Sequence, residues 1–490
     1  MSRLSRRSLF ATAAAPLLRA TAPRPNVLMI AVDDLRPELG CYGHPKIRSP
    51  HIDALAARGL RFDRAYCQQA VCAPTRASLL TGARPDSTRV WNLQTPLNTV
   101  RPDLISIPHH FRRHGYQTVS LGKIYHHVNE DPNAWSTPPW QPKGDWAGGW
   151  RAYRDPQSAL IERQMAEIGK AENPPREGRG PAWEMPDVPD NAYPDGMTCD
   201  RAISELRRLR HQPFFLAAGF VKPHLPFNAP RKYWDLYQPS DLHLPARRAW
   251  PEAMPALAAS EWGELRSYSG IPGKGPVDEL TFRMLIHGYH ACVSFMDAQV
   301  GRLLAELDSL GLRDNTIVVL WGDHGWKLGD YGAWCKHTNF EIDTRVPLIL
   351  SAPGLASPGA ASPALVEFVD ICPTLAELCG LPIPAHCEGL SMKPLLTNPA
   401  RPWKAAAFSQ YPRGQDTMGY TLRSGPYRYT EWLRRPGDEV LARELYDVSA
   451  GPAPSANLAG LSQHASTVRS LSRLLDKGQG WRTVRDRAPI

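Results

Sequence analysis

The chain has 490 residues and a formal net charge of +9 at pH 7, from 57 Lys and Arg against 48 Asp and Glu. This length can bury a large core and allows up to about three domains. A modest positive charge without a basic, aromatic-interleaved run argues against nucleic-acid binding and allows weak attraction to acidic polysaccharides. No apolar run reaches the roughly 18 residues of a membrane-spanning helix. We therefore expect no nucleic-acid partner and no stable membrane insertion.

The first 22 residues have the composition of an export signal. They contain four arginines and no acidic residue, and a weakly apolar, alanine-rich stretch ends in Ala20-Thr21-Ala22. These features predict a signal peptide over residues 1–22, and the pair Arg6-Arg7 favours the twin-arginine route without excluding general secretion. We expect an exported protein, periplasmic or secreted. Such compartments permit disulfides, and although the sequence does not fix the pairing, we take Cys379 with Cys387 as the expected pair.

Four short apolar runs predict buried strands of an α/β sheet. They cover residues 26–32, 118–121, 214–220 and 316–321. Chemically active side chains follow each run, and these are Asp33 and Asp34, Lys123 and His126, Lys222 and His224, and Asp323 and His324. Taken singly, such residues can be helix caps, solvated strand ends or core histidines. Ligands bind beyond the carboxyl ends of strands in open α/β sheets, so four coinciding ends predict one shared pocket.

Residues 72–76 read Cys-Ala-Pro-Thr-Arg. Pro74 stands where a first helical turn tolerates proline, and Gly82 is a natural residue just after a helix end. Cys72 is therefore predicted at a helix N-terminus, where unpaired N–H groups and the helix dipole favour an anionic or polarised atom. The alternative is a buried, inert cysteine, which is common among free cysteines.

Asp33 and Asp34 are adjacent carboxylates, which repel each other unless a cation neutralises them. Together with Asp323 they offer hard oxygen ligands, which suit Ca²⁺ or Mg²⁺ better than zinc. His324 would bind such a cation through a ring nitrogen, or would only stand where a neutral amide could. No Cys-x-x-Cys, His-Glu-x-x-His, Walker or Gly-x-Gly-x-x-Gly pattern competes with this assignment.

The remaining segments predict a main domain and a smaller one. Residues 131–195 are rich in proline and tryptophan with little periodicity, which predicts a long ordered loop over the pocket, where sugars could stack on indole rings. Helices are expected over 279–310, 366–378 and 464–477, and an antiparallel sheet after residue 400. We assign residues 23–400 to a catalytic domain and 401–490 to a C-terminal subdomain.

These motifs together resemble those of the type I sulfatases of the alkaline-phosphatase-like superfamily, and most closely the branch that acts on 2-O-sulfated iduronate. The matching segments include NVLMIAVDDLRP (26–37), GCYG (40–43), QQAVCAPTR (68–76), KPHLPF (222–227), DHGW (323–326), SQYPR (409–413) and YRYT (427–430). His126 lies three residues after Lys123, a spacing that favours this branch. The resemblance implies an α/β fold with a large mixed sheet flanked by helices and a smaller C-terminal α+β subdomain carrying an antiparallel sheet.

The resemblance also implies roles for individual residues. The implied metal ligands, for one Ca²⁺ or less favourably Mg²⁺, are Asp33, Asp34, Cys72, Asp323 and His324. The implied catalytic residues are Cys72, Arg76, Lys123, His126, His224 and Lys336. The implied substrate contacts are Lys123, His224, Trp326 and Lys336. A formylglycine-generating enzyme or maturase is implied as a partner, because Cys72 would be converted to formylglycine, whose hydrate attacks sulfur.

The chemistry expected from this resemblance divides proton transfer between two histidines. His224 is the candidate donor to the departing sugar oxygen, and His126 is the candidate base when the aldehyde re-forms and expels sulfate. The expected substrate is a sulfated oligosaccharide or polysaccharide with a 2-O-sulfated uronic acid at a chain end. Two alternatives remain open: a phosphodiester or phosphonate ester hydrolase of the same superfamily, and a non-catalytic binder of sulfated glycans that keeps an unmodified Cys72. The sugar, the linkage, exo or endo action and the oligomeric state are not fixed by the sequence.

Overall fold

A computed structural model describes residues 24–127, 130–172, 175, 177–437 and 439–477. The predicted signal peptide, residues 1–22, lies outside these residues. Within the described ranges, no helix has both the length and the apolar character required to cross a bilayer.

Two sheets organise the fold. In chain order, the strands are β1 (Asn26–Val32), β2 (Leu60–Tyr66), β3 (Gln117–Gly122), β4 (Arg179–Pro181), β5 (Trp183–Glu184), β6 (Phe214–Phe220), β7 (Phe227–Asn228), β8 (Tyr268–Ser269), β9 (Thr316–Gly322), β10 (Arg345–Val346), β11 (Leu348–Ser351), β12 (Ala361–Glu367), β13 (Ala407–Arg413), β14 (Thr417–Ser424), β15 (Tyr427–Arg434) and β16 (Val440–Asp447). The large sheet has the order β10-β2-β11-β9-β1-β6-β3, with β12 beside β2, and the small sheet has the order β13-β14-β15-β16. The sheet is mixed, because β1, β3, β6 and β9 pair in parallel while β11 pairs antiparallel with β2 and β9.

Helices lie on both faces of the large sheet, and the last helix of the described residues packs on the small sheet. In chain order they are α1 (Pro50–Arg58), α2 (Cys72–Thr81), α3 (Pro85–Thr88), α4 (Leu97–Val100), α5 (Ile107–Arg113), α6 (Pro156–Ala171), α7 (Pro194–Leu209), α8 (Arg231–Trp234), α9 (Gly263–Arg266), α10 (Glu279–Ser309), α11 (Glu341–Thr344), α12 (Ile371–Leu378), α13 (Lys393–Thr397) and α14 (Ala465–Lys477). The long helix α10 packs beside α1 and α7 on one face. Helices α2, α5 and α12 pack on the other.

The alternation of β1 explains why helices cover both faces. Leu28, Ile30 and Val32 belong to one buried apolar cluster, which includes residues of α7 and α10. Val27, Met29 and Ala31 belong to the other, with residues of α2, α5 and α12. A strand that is apolar on both faces must be covered on both, and this places its carboxyl end, rather than a face, where a ligand can reach it.

The predicted strands are confirmed, with small shifts at their ends, and so are the C-terminal antiparallel sheet and the helix that follows it. Two predicted segments differ. The expected loop over residues 131–195 contains α6, and the expected helix over 366–378 begins only at α12, because residues up to Glu367 extend β12 beside β2. The predicted boundary at residue 400 falls between α13 and β13, and the assignment of residues 401–490 to a separate domain stays a prediction.

The expected pairing of Cys379 with Cys387 is wrong. Cys387 Sγ lies 3.1 Å from Cys372 Sγ, whereas Cys379 Sγ faces the Pro25 carbonyl at 3.8 Å. Cys379 follows the last turn of α12, and Cys372 is in its first turn, so the direction of the helix decides which thiol meets Cys387. The nine cysteines are free.

Candidate active site

Cys72 begins α2 at the carboxyl edge of the large sheet, as the sequence predicts. The helix ends at Gly82, whose φ of 71° is the left-handed conformation that glycine adopts without strain. The Cys72 side chain is buried, and its Sγ lies 3.4 Å from Asp33 Oδ1 and 3.3 Å from His324 Nε2. The N-terminus of this helix therefore holds the sulfur against side chains that follow β1 and β9.

A compact set of possible metal ligands surrounds this sulfur. One ligand atom from each of Asp33, Cys72, Asp323 and His324 lies within 4.8 Å of the others, and Asp34 forms a similar group with Cys72 and His224. His324 Nδ1 is 3.1 Å from the Gly325 carbonyl, so Nδ1–H donates there and Nε2 keeps its lone pair towards the cluster. This is the arrangement of a metal-binding histidine. The residues present therefore fit a divalent cation with oxygen and nitrogen ligands.

Three cationic side chains hold the carboxylates in place. Arg76 Nε donates to Asp323 Oδ2 at 3.0 Å, and its other nitrogens reach Asp33 and the Lys123 and Ile124 carbonyls. Lys123 Nζ pairs with Asp33 and lies 3.9 Å from Cys72 Sγ. Lys336 Nζ donates to Asp34 Oδ1 at 2.9 Å. Arg76 is wholly buried, so its role is to fix the ligands, whereas the two lysines also line the cavity.

Burial and ion pairing have opposite effects on the pKa values of the two adjacent carboxyl groups, Asp33 and Asp34. Burial raises the pKa of Asp34 to about 7, and repulsion from Asp33 and Glu264 adds to this effect while Lys336 opposes it. Burial also acts to raise the pKa of Asp33, but Lys123, His224 and Arg76 outweigh it and hold that pKa well below its ordinary value. The pair is therefore incompletely neutralised by the cationic side chains alone.

His224 has a partner that the sequence motifs do not include. Its Nε2 lies 3.0 Å from Glu264 Oε1, and its Nδ1 lies 2.6 Å from the Leu225 carbonyl. Glu264 Oε2 is also 2.9 Å from Lys336 Nζ. Burial disfavours the charged imidazolium and lowers the pKa of His224. Glu264 acts in the opposite direction, because an acceptor at each ring nitrogen favours the protonated form. Glu264 lies on the one-turn helix α9, where no motif marks it.

The last two predicted residues, His126 and Trp326, differ in whether they reach the cavity surface. His126 lines the same cavity, and its Nδ1 is buried without a hydrogen-bond partner among the described residues. Trp326 is 1% exposed and does not line the cavity; it lies beneath Lys336, whose Nζ is 4.8 Å from the indole ring centre. Its predicted contact with substrate stays a prediction, and the structure places it as support for Lys336.

These residues meet at the base of one cavity of about 570 Å³. The part of the sequence expected to form a loop over the pocket supplies much of its wall, including Trp146, Trp150 and Arg151. The volume lies within the usual range for ligand pockets. Side chains that follow β3 and β6 line this cavity, whereas those that follow β1 and β9 are buried against Cys72 at its base.

Sequence comparison identifies the family. Residues 25–381 match the profile of the family described as Sulfatase, and residues 329–480 match the one described as N-sulphoglucosamine sulphohydrolase, C-terminal. The chain belongs to the sulfatase family. It is 35% identical over 518 residues to Iduronate 2-sulfatase of Homo sapiens, an alignment that covers 89% of this chain and 92% of that protein. This sulfatase is therefore a sulfuric ester hydrolase.

Solved structures share the fold. One, in complex with its substrate D-glucosamine-2-N,6-O-disulfate, has a TM-score of 0.74 and 22% identity over 95% of this chain and 99% of that chain. A phosphonate monoester hydrolase of Agrobacterium radiobacter has a TM-score of 0.73 and 24% identity over 95% and 96%. The predicted alkaline-phosphatase-like architecture is confirmed.

The charges in this sulfatase site suit an anionic ester. Among the described groups around Cys72, the carboxylates of Asp33, Asp34, Glu264 and Asp323 face the cations of Arg76, Lys123 and Lys336. A divalent cation and one sulfate monoester would bring this set to neutrality. The charges at the cavity base are therefore compatible with a sulfate group that binds together with a divalent cation.

Proposed function

We propose that this sulfatase hydrolyses the 2-O-sulfate ester of a uronic acid at a glycan chain end, with formylglycine in place of Cys72 as the source of the nucleophile. The observation that carries this proposal is the 35% identity to a curated iduronate 2-sulfatase across nearly the full length of both chains. The cavity supports it, because its volume exceeds the need of a sulfate group and leaves room for a sugar.

The ligands we propose for one divalent cation are Asp33, Asp34, Asp323, His324 and residue 72. Ca²⁺ is the favoured ion and Mg²⁺ the alternative, because most of these ligands are hard oxygen atoms. The cation would polarise the sulfate, and the formylglycine hydrate would supply a hydroxyl nucleophile. The enzyme that would install formylglycine, and export to the periplasm or cell exterior, are parts of the same proposal.

We assign sulfate binding to two lysines. Lys123 and Lys336 line the cavity and already face Cys72 and Asp34, so their charges are positioned for the sulfate oxygens. Charge neutralisation of this kind lowers the barrier to attack on an anion. Arg76 supports Lys123, because it donates to the Lys123 carbonyl and binds Asp33, the partner of the Lys123 ammonium.

We assign proton transfer to two histidines. His224 lies beside Glu264 and Asp34 and lines the cavity, so it can donate a proton from Nε2 to the departing sugar oxygen. A sugar alkoxide is a poor leaving group, and this donor is therefore needed. His126 is the base that we propose for the release of sulfate, since its Nδ1 is not engaged by the described residues.

The proposal is tested by sulfate release from matched oligosaccharides. The panel contains a 2-O-sulfated uronate disaccharide, D-glucosamine-2-N,6-O-disulfate and an aryl phosphonate ester, with inorganic sulfate or the alcohol product measured. We expect the highest kcat/KM on the uronate, and peptide mass spectrometry should find formylglycine at position 72. Cys72→Ala should remove turnover, whereas Cys199→Ala, a buried cysteine outside the cavity lining, should not. Preference for the phosphonate ester, or full activity with unmodified Cys72, would contradict it.

A further inference from the structure

The wall of the cavity contains groups that sulfate hydrolysis does not require. Trp150, Arg151, Glu177 and Arg179 line the cavity together with Cys72 and His224. None of the four belongs to the proposed metal or sulfate site. They come from a single stretch of chain around α6, and they border the space that the sugar would occupy.

Trp150 is an exposed aromatic residue inside this cavity. Its exposed fraction is 43%, although its ring centre lies 4.9 Å from that of His224 and 5.9 Å from Lys123 Nζ. Large apolar side chains left exposed within a concave site are typical of ligand contacts. The indole therefore offers a flat apolar wall directly beside the proposed proton donor.

Two arginines adjoin this wall and share one carboxylate. Arg151 lies 6.0 Å from the Trp150 ring centre and donates to Glu177 Oε1 at 2.7 Å. Arg179 donates to Glu177 Oε2 at 2.6 Å. Each guanidinium has a buried Nε without a hydrogen-bond partner among the described residues. Glu177 thus bridges two arginines whose hydrogen-bonding capacity is not fully used.

The two acidic partners of these arginines differ in burial. Glu162 pairs with Arg151 at 2.6 Å, its side chain is 4% exposed, and it also accepts the Gly180 amide, so it is a fixed, buried partner of Arg151 behind the wall. The Glu177 side chain is 55% exposed. One arginine charge is therefore balanced internally, while the other is balanced by a carboxylate that solvent, or a ligand, can reach.

We infer that Trp150, Arg151 and Arg179 form the subsite for a uronic acid ring, in which the substrate carboxylate takes the place of Glu177 between the two guanidiniums. The sugar ring packs against Trp150, and this orients the sulfated carbon towards His224 and Lys123. Arginine binds carboxylates through paired, charge-assisted hydrogen bonds, and exchange of one carboxylate for another keeps the site neutral. The inference rests on the proposed function and identifies which part of the enzyme selects an acidic sugar.

The subsite is tested by comparing a 2-O-sulfated uronate disaccharide with the same disaccharide after reduction of its carboxyl group. For Arg179→Gln we expect KM on the acidic substrate to rise by roughly 10–100-fold, as for loss of hydrogen bonds to a charged group, and KM on the reduced substrate to change by less than about threefold. An equal rise on both substrates would overturn the inference, because it would indicate a general change of cavity shape.

Glu177→Gln is the second variant, and its exposed position makes it compatible with folding. Without its charge, residue 177 no longer competes with the substrate carboxylate for the two arginines. KM for the acidic substrate should therefore fall by a few fold, and KM for the reduced substrate should not change. Glu167→Gln, an exposed residue of α6 paired with Lys170, is the control and should change neither value. An unchanged or higher KM for Glu177→Gln on the acidic substrate would overturn the exchange of carboxylates.

Wild-type activity separates this inference from the proposed function. If the wild-type enzyme releases no sulfate from the uronate disaccharide but does so from another sulfated sugar, the proposed substrate is wrong. If the wild-type enzyme cleaves the uronate disaccharide, but Arg179→Gln affects the acidic and the carboxyl-reduced disaccharides equally, the proposed substrate is supported and the proposed subsite is wrong. Tryptophan fluorescence with the desulfated uronate disaccharide gives a readout without turnover, and the wild-type response should be lost in Trp150→Phe if this indole contacts the sugar.

Discussion

Glu264 and His224 are joined by a contact of 3.0 Å between Oε1 and Nε2, and the second oxygen of the same carboxylate lies 2.9 Å from Lys336 Nζ. One carboxylate thereby orients both the proposed proton donor and one of the proposed sulfate-binding lysines. Its charge also acts to raise the pKa of His224 against the effect of burial. Glu264 is therefore a positioning residue for two functional groups.

Glu264→Gln should weaken the proton donor. The uncharged amide no longer favours the imidazolium, so the pKa of His224 should fall further and less of the ring should be protonated at a given pH. We expect kcat on alkyl sulfates to fall by about tenfold or more, and the alkaline limb of the pH profile, on which the donor loses its proton, to shift to lower pH. The control is Glu261→Gln, an exposed residue just before the same helix. An unshifted profile with reduced kcat would indicate a purely structural role.

His224→Ala should discriminate between leaving groups. Alkyl sulfates release a strongly basic alkoxide and need a proton, whereas aryl sulfates with good leaving groups do not. General acid catalysis contributes about 10²–10⁴-fold, so the loss of kcat/KM should be of this order on alkyl sulfates and much smaller on aryl sulfates. Equal losses on both classes would place the proton donor elsewhere, with Lys336 as the next candidate.

Asp323→Ala should reduce metal occupancy together with rate. The carboxylate lies in the set formed by Asp33, Cys72 and His324, and Arg76 holds it in place. We expect elemental analysis of the purified wild-type enzyme to find one Ca²⁺ per chain and the variant to retain a small fraction of it. Asp314→Ala, an exposed residue at the opposite end of β9, is the control. Full activity of a metal-free, chelator-treated wild type would rule out the cation.

The sequence predicts most of the site because motif residues at strand ends are local features. Continuous apolar runs followed at once by Asp or His determine both the strand and the position of the side chain, so Asp33 and Asp323 could be placed together without a structure. Glu264 could not be placed, because it reaches His224 from a helix of one turn. No periodicity or spacing distinguishes it from the many solvated glutamates.

Two other differences between the sequence predictions and the structure have related causes. The segment before β4 is rich in proline and tryptophan, which suggests a loop, but Asp155 caps α6 through the Ser158 amide and Pro156 fits its first turn. The local capping signal was therefore more informative than the composition of the segment. The approach of Cys387 to Cys372 depends on how α12 packs against the end of α2, and a pairing set by tertiary packing cannot be derived from sequence spacing.

His126 should stay unprotonated in acidic solution. Burial lowers the pKa of His126 to about 3, and the charges of Lys123 and His127 act in the same direction. A lowered pKa means that the ring stays neutral as the pH falls, so a step that depends on it should persist to about pH 4 rather than decline near pH 6.5. A decline with an apparent pKa near 6.5 that disappears in His126→Ala would contradict this.

His126→Ala itself should retain covalently bound sulfate, whatever the leaving group, because the first half of the reaction does not need this base. Intact mass spectrometry after brief exposure to an aryl sulfate measures the retained group. His211→Ala, an exposed histidine after α7, is the control. Turnover lost without retained sulfate would show that His126 acts before sulfur is attacked.

Glu367→Gln should destabilise the fold in a pH-dependent way. Glu367 is buried at the end of β12, where it pairs with Arg84 at 2.8 Å and Lys404 at 2.7 Å and accepts the Phe408 amide at 2.9 Å. It thereby connects the large sheet to the strand that begins the small sheet. Burial opposes its ionisation, but Arg84 and Lys404 outweigh burial and lower its pKa to about 2. Removal of one partner from a buried ion pair costs about 3–5 kcal/mol, and we expect a loss of this order at pH 7.

The sign of the pH dependence follows from that lowered pKa. Because the pKa is about 2 in the folded state and about 4.5 when unfolded, the carboxylate contributes its full stabilisation above pH 4.5 and loses it as the pH falls towards 2. The difference in unfolding free energy between wild type and Glu367→Gln, measured by denaturant titration, should therefore be constant from pH 7 to 5 and shrink below pH 4.5. Glu377→Gln, which removes a partly exposed carboxylate of α12, should show no such trend. A difference that stays constant down to pH 3 would mean that folding does not lower the pKa of this carboxyl, and that its hydrogen bonds rather than its charge hold the two sheets together.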